Sequence, residues 1–334
     1  MAKLSERALI RLIREASAAA APGLVQGIGD DCAVFGNSGE GRWLISTDTL
    51  VDGVHFDCHW HPPALLGRKS IAVNLSDIAA MGGCPRFVLL SLCLPPALDA
   101  DWLQQWFSGV SAILAEYGCV LIGGDTVQSK ELMISVTVIG EPGSGGILYR
   151  SGAIPGDIVY VSGTLGAAAA GLALFQKAKQ EQIDLGLQLQ WQVLLDSHLN
   201  PFPQVKLGQE LASTGCVTAM QDISDGLATD LAHICQESGT GSILHLESLP
   251  SLPVLDAAAK FLGKEKLDLL LKGGEDYQLV FTVRPHREEE LKVKMASFLD
   301  QQIFPVGIIT EGQGVILEQK NGSRTDISFQ GYEH

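Results

Sequence analysis

Several signals that would settle a function quickly are missing from this sequence. No run approaches the roughly 20 uninterrupted apolar residues that span a bilayer, and the opening MAKLSERALIRLIREA mixes charge with apolar residues, unlike a signal peptide. The expectation is a cytoplasmic protein without a membrane role. The seven cysteines (Cys32, Cys58, Cys84, Cys93, Cys119, Cys216 and Cys235) are scattered, odd in number and never spaced CxxC, which disfavours both a disulfide framework and a zinc site. Basic residues are scarce. A formal net charge of −15 argues against a nucleic-acid partner, because phosphate neutralisation needs clustered Lys and Arg. There is no GxxxxGK[ST] loop and no protein-kinase signature set, and GIGDDC begins like GxGxxG but lacks the third glycine.

What is present is a globular chain of 334 residues, 46% hydrophobic and 18% charged, long enough for two domains. Leu9, Leu12, Ile13 and Ala16 share one face of an N-terminal helix over 5–17. WLIS (43–46) reads as a strand ending in TDT, 63–81 as a helix, VLLSLCL (88–94) as a strand, and 101–117 as a helix. CVLI (119–122) reads as a strand stopped by Gly123 and Gly124, and LMISVTVIG (132–140) as another. The Gly/Pro-rich stretch 140–157 then suggests a boundary, giving domains 1–145 and 146–334. In the second half, strands at 157–163, 217–221 and 277–283 and a final strand pair around 304–318 alternate with helices at 165–175, from Ser224, and at 267–271. The class is α/β or α+β.

The informative feature is a recurrence. GIGDD (27–31), STDT (46–49), NLSD (74–77), GGD (123–125), DISDG (222–226) and GGED (273–276) each set a carboxylate beside Gly, Ser or Thr, mostly at an element end. Any one of them alone reads as a turn or helix cap. Six together suggest a shared site. Two carboxylates about 5 Å apart repel by roughly 3 kcal/mol at an effective dielectric near 20, so a converging set needs a cation. Carboxylates and hydroxyls without thiolate or imidazole suit Mg²⁺ or Mn²⁺, with Ca²⁺ left open, and such metals commonly hold substrate phosphates. His55, His59 and His61 in HFDCHWH read as a solvent-facing loop, and Arg68 and Lys69 as solvated helix charges.

Taken in order, GIGDDCA, STDTLVDGVHF, AVNLSDIAAMGG, LIGGDT, RSGAIPGD, DISDGL and GGEDY resemble the thiamine-monophosphate kinases along nearly the full chain. The resemblance implies a two-domain fold of the aminoimidazole-ribonucleotide synthetase type: an N-terminal domain that binds metal and ATP and pairs its sheets across a homodimer, and a C-terminal α/β domain that completes the active site. It implies ATP-dependent phosphorylation of thiamine monophosphate to thiamine diphosphate, assisted by several Mg²⁺ ions. Matched by motif, the metal ligands would be Asp31, Ser46, Thr47, Asp48, Asp77, Asp125, Asp222 and Asp225, with Asp30 supporting them. ATP would meet Gly124, Asp125, Arg150 and Ser224, and thiamine monophosphate would meet His55, Glu275 and Phe329. Two other readings stand beside this one: a relative such as an aminoimidazole-ribonucleotide synthetase, and a non-catalytic protein that binds divalent metal.

Overall fold

Runs rich in Val, Ile and Leu form two separate sheets. A computed structural model describes residues 5–17, 21–36, 41–296 and 302–333. The first sheet comprises β1 (Leu24–Gln26), β2 (Ala33–Phe35), β3 (Trp43–Val51), β4 (Gly83–Leu94), β5 (Val120–Gln128) and β6 (Met133–Pro142), in the order β1-β2-β3-β6-β4-β5. It is antiparallel except where β4 runs parallel to β5. Helices α1 (Glu6–Ala16), α2 (Pro63–Ala80) and α3 (Ala100–Tyr117) belong to this half.

The second sheet comprises β7 (Ile158–Val161), β8 (Val217–Ile223), β9 (Gly241–His245), β10 (Gln278–Val283), β11 (Phe304–Thr310), β12 (Gly314–Glu318) and β13 (Arg324–Asp326), in the order β13-β12-β9-β11-β7-β10-β8. Its helices are α4 (Ala167–Glu181), α5 (Gln192–Leu199), α6 (Val205–Thr214), α7 (Leu227–Ser238), α8 (Val254–Leu262), α9 (Lys266–Lys272) and α10 (Glu288–Met295). The class is therefore mixed α/β with largely antiparallel pairing.

Helix α2 organises the molecule. Leu66, Ile71, Leu75 and Ile78 are fully buried, each contributing about 1.5–3 kcal/mol of transfer free energy. It packs on α3, β3, β4 and β6 of its own half and also meets α5, α6 and β8 of the second. Polar groups on such a helix are forced into contact with both halves. Lys69, Ser70, Asn74 and Ser76 are all buried along it.

Two sequence expectations change. Strand β5 does not stop at Gly123 and Gly124 but runs through them to Gln128, because a Cβ at Gly124 would lie 1.8 Å from the Leu90 carbonyl oxygen, and only glycine lets the two strands approach so closely. Strand β3 continues through Thr47, Asp48 and Thr49 to Val51, held by full pairing with β6. The apolar face of α1 covers no core: none of its residues is buried, and Leu9, Leu12 and Ile13 stay about half exposed. Among the described residues, no helix is long and apolar enough to cross a membrane.

Candidate active site

A cleft of about 1940 Å³ opens between the two sheets. Its acidic wall is assembled from three places far apart in sequence: the 27–31 turn, the C-terminal end of α2, and the end of β8. Asp31, Asp77 and Asp222 each direct a carboxylate oxygen so that the three atoms lie within 4.8 Å of one another. Hydroxyls hold two of them in place. Ser46 Oγ donates to Asp77 Oδ2 at 2.6 Å, and Ser76 Oγ donates to Asp222 Oδ2 at 2.6 Å. Asp48 reaches the same wall from β3, its backbone N–H donating to Asn74 Oδ1 at 3.1 Å.

The electrostatics follow from burial and crowding. Burial, and then the charges of Asp48, Asp222 and Asp31, push the Asp77 carboxyl well above the ordinary carboxylate range. Burial and Asp31 push Asp222 up to about 8. Asp31 is raised by burial and drawn back by Arg150, whose Nη2 donates to Asp31 Oδ1 at 2.5 Å. Asp31 Oδ2 is buried with no hydrogen-bond partner. An unpaired buried carboxylate oxygen beside two further carboxylates and the Ser46 hydroxyl is a donor set that fits a hard divalent cation.

Asp30 has a different task from its neighbour. Its carboxylate accepts the backbone N–H of Asp31 at 3.1 Å and that of Arg150 at 3.2 Å, tying the acidic turn to the start of the second half. Burial and then Asp31 raise it to about 7. Gly29 opens this turn at φ +128°, with the Arg14 guanidinium of α1 where a Cβ would project.

The cleft is also lined by His55, Ser224, Asp225, Glu275, Phe329 and Thr47. The 273–277 loop pairs with the 222–226 loop through Glu275 N–H to the Ser224 carbonyl and Tyr277 N–H to the Ile223 carbonyl, both at 2.8 Å. Glu275 sits at φ +67°, outside the usual range for a side-chain-bearing residue. Phe329 is at φ +53°, and the Arg7 guanidinium lies 4.6 Å from its ring centre. His55 accepts the Val51 backbone N–H on Nδ1 at 3.1 Å.

Lys69 is not a solvated helix charge: it is completely buried and pairs with Glu275 at 2.8 Å. Arg68 differs, being more exposed and paired with Glu116. Nor is HFDCHWH a uniform solvent-facing loop. His59 is exposed, but His61 is buried, its Nε2 3.0 Å from the Leu199 carbonyl oxygen, because packing against α5 carries the end of the loop inward.

Gly124 and Asp125 are not brought to this cleft. Asp125 is exposed on the edge strand β5, in register with Ser91, Ser135 and Thr49, so three strand spacings of about 4.8 Å put it about 14 Å from Thr49.

Several residues that shape the site escape sequence reading. Asp230 is fully buried and accepts from Gln221 and from the backbone N–H groups of Asp225 and Gly226, which sets the 222–226 loop. An acidic residue in the first turn of the helix after DISDG was the available signal. Ser76, Asn74, Lys69 and His198 gave none, since a polar residue inside an apolar helix declares its partner only in three dimensions. Asp276, beside Glu275, caps α4 through the Gly166 N–H at 2.7 Å.

Residues 29–141 match the family model of AIR synthase related protein, N-terminal domain, and residues 155–320 that of the C-terminal domain. The thiamine-monophosphate kinase of Salmonella typhimurium is 38% identical over 92% of this chain and 91% of its own length. That of Bacillus subtilis is 37% identical over 92% and 93%. The solved structure of AaThiL complexed with AMPPCP and TMP superposes with a TM-score of 0.84 at 32% identity, covering 100% of this chain and 99% of that one. With both AIR synthase related domains present and this identity sustained along almost its whole length, the chain belongs to the thiamine-monophosphate kinase family.

Proposed function

We propose that this protein transfers the γ-phosphoryl group of ATP to the phosphate of thiamine monophosphate, giving thiamine diphosphate and ADP. The observation that carries the reading is the convergence of Asp31, Asp77 and Asp222, with Asp31 Oδ2 unpaired, in one cleft. The relatives support it, since AaThiL was solved with AMPPCP, an ATP analogue, and with TMP.

In this reading Asp31, Ser46, Thr47, Asp48, Asp77, Asp222 and Asp225 hold Mg²⁺. When bound, Mg²⁺ screens two mutually repelling polyanions and offsets the charge that develops during transfer. The acceptor makes no demand for a strong base. A phosphate monoester has its second pKa near 6, so at neutral pH its oxygen is already largely deprotonated. That oxygen attacks the γ-phosphorus in line as the bond to the β-bridging oxygen breaks, and ADP leaves. Arg150 and Ser224 face the nucleotide, while His55, Glu275 and Phe329 orient the acceptor, the ring of Phe329 stacking on the cationic thiazolium.

The reading includes a homodimer. On one face of the first sheet Thr47, Thr49 and Asp125 are exposed, in register with Thr137, Ser135 and Ser91, and β5 is an edge that exposes Val120, Ile122 and Val127. Strand pairing across two copies would satisfy the β5 edge, and would let Gly124 and Asp125 serve the cleft of the second copy. The domain limits 1–145 and 146–334 belong to the same reading. The test is to incubate the protein with Mg·ATP and thiamine monophosphate and assay for thiamine diphosphate. Formation of aminoimidazole ribonucleotide from its formylglycinamidine precursor instead, with no thiamine diphosphate, would refute it.

A further inference from the structure

The ammonium of Lys69 has three protons and three acceptors. Nζ donates to Glu275 Oε1 at 2.8 Å, to the His198 carbonyl at 3.2 Å and to the His55 carbonyl at 3.5 Å. The second carboxylate oxygen of Glu275 faces His198 Nδ1 at 2.8 Å. A carboxylate can only accept, so His198 carries its proton on Nδ1. Both oxygens of Glu275 are thereby held by buried donors, although the residue stands at φ +67° on a loop and its side chain is still 22% exposed on the cleft side.

A completely buried lysine is costly unless it is paired, and removing one partner of a buried pair leaves the other uncompensated. The arrangement at Lys69 goes beyond pairing. Two backbone carbonyls anchor the ammonium so that its remaining proton has one direction, toward Oε1. The lysine lies on α2, eight residues before Asp77, or about 12 Å along the axis at 1.5 Å per residue. One rigid helix therefore carries both a member of the acidic wall and the group that fixes the Glu275 carboxylate.

We propose that Lys69 is a positioning residue for the phosphoryl acceptor: from α2 it orients the Glu275 carboxylate, with His198 completing the clamp, so that this carboxylate recognises the thiamine moiety at a set distance from the acidic wall. The proposal rests on the reading that Glu275 meets the acceptor.

The test compares Glu275→Gln, Lys69→Met and the double variant, with KM for thiamine monophosphate and KM for ATP measured on each. Glu275→Gln is expected to raise KM for thiamine monophosphate about tenfold or more, the loss expected when one charge-assisted contact is removed, and to change KM for ATP less than about twofold. Lys69→Met is expected to raise the same constant at least as far, again sparing ATP. The double variant is expected to match Glu275→Gln within about twofold, since Lys69 acts through that carboxylate. An unchanged KM in Lys69→Met, beside a defective Glu275→Gln, overturns the inference and leaves the function standing. An unchanged KM in Glu275→Gln removes the assignment of Glu275 to the acceptor, and the inference with it. If Lys69→Met does not fold, the double variant decides. Folded and kinetically equal to Glu275→Gln, it supports the positioning role; unfolded, or tenfold worse than Glu275→Gln, it overturns it.

Discussion

The Ser76 hydroxyl of α2 donates to Asp222 Oδ2 at 2.6 Å, a buried hydrogen bond that joins the central helix of the first half to the end of β8 in the second. Its neighbour Asp77 faces the same acidic wall, so one turn of helix both supplies a carboxylate and aims another. Ser76→Ala leaves a buried carboxylate oxygen without its donor. The metal-free protein is expected to lose about 1–3 kcal/mol, measured by urea unfolding. Unchanged stability would show that the bond does not organise the wall.

Metal-free protein should also grow less stable as pH rises from about 5 to 8. Asp222 titrates at about 8 and Asp30 at about 7 in the fold, both raised mainly by burial, against an ordinary carboxylate value of 3.8. Across this window the folded state holds more protons than the unfolded state, so the slope of unfolding free energy with pH is negative. Saturating Mg²⁺ is expected to flatten much of the slope, while the part due to Asp276, also raised to about 7 by burial at the cap of α4, persists. Thermal melts across this range, with and without Mg²⁺, check it.

Asp77→Asn removes one member of a mutually repelling set while keeping its shape. The metal-free melting temperature is expected to hold or rise, the stabilisation by Mg²⁺ to shrink, and transfer to fall by at least about 100-fold. A large drop in metal-free melting temperature would instead give Asp77 a structural role.

The strand–helix alternation and the acidic turns GIGDD and DISDG were legible because periodicity and turn chemistry are local, whereas STDT and GGD lie inside β3 and β5. GIGDD, NLSD and DISDG could be read as parts of one site, and Asp31, Asp77 and Asp222 do meet. What the sequence hid was the role of residues within α2. Lys69 looked like a surface charge because its partners Glu275 and His198 are 206 and 129 positions away in the chain. Gly123 and Gly124 looked like a strand end because the close Leu90 carbonyl that makes glycine necessary at 124 belongs to β4. The amphipathic pattern of α1 was plain, yet it does not say what the apolar face packs against.

Asp230 gives a separate test of the 222–226 loop. Its carboxylate takes the backbone N–H groups of Asp225 and Gly226 at 3.1 and 3.0 Å. Asp230→Ala leaves two donors without their acceptor and is expected to destabilise the protein by at least about 2 kcal/mol, read by urea unfolding. Binding of Mg·ATP, read by calorimetry, should weaken with it, because Ser224 and Asp225 lie on the same loop.

The most direct measurement follows the label of γ-³²P ATP in the presence of Mg²⁺ and thiamine monophosphate. The account requires the label to appear in the terminal phosphate of thiamine diphosphate, one for each ADP formed, and to stay in ATP when the metal is chelated. Label found only in inorganic phosphate, or a folded protein that leaves ATP intact with both substrates and Mg²⁺ present, would contradict it.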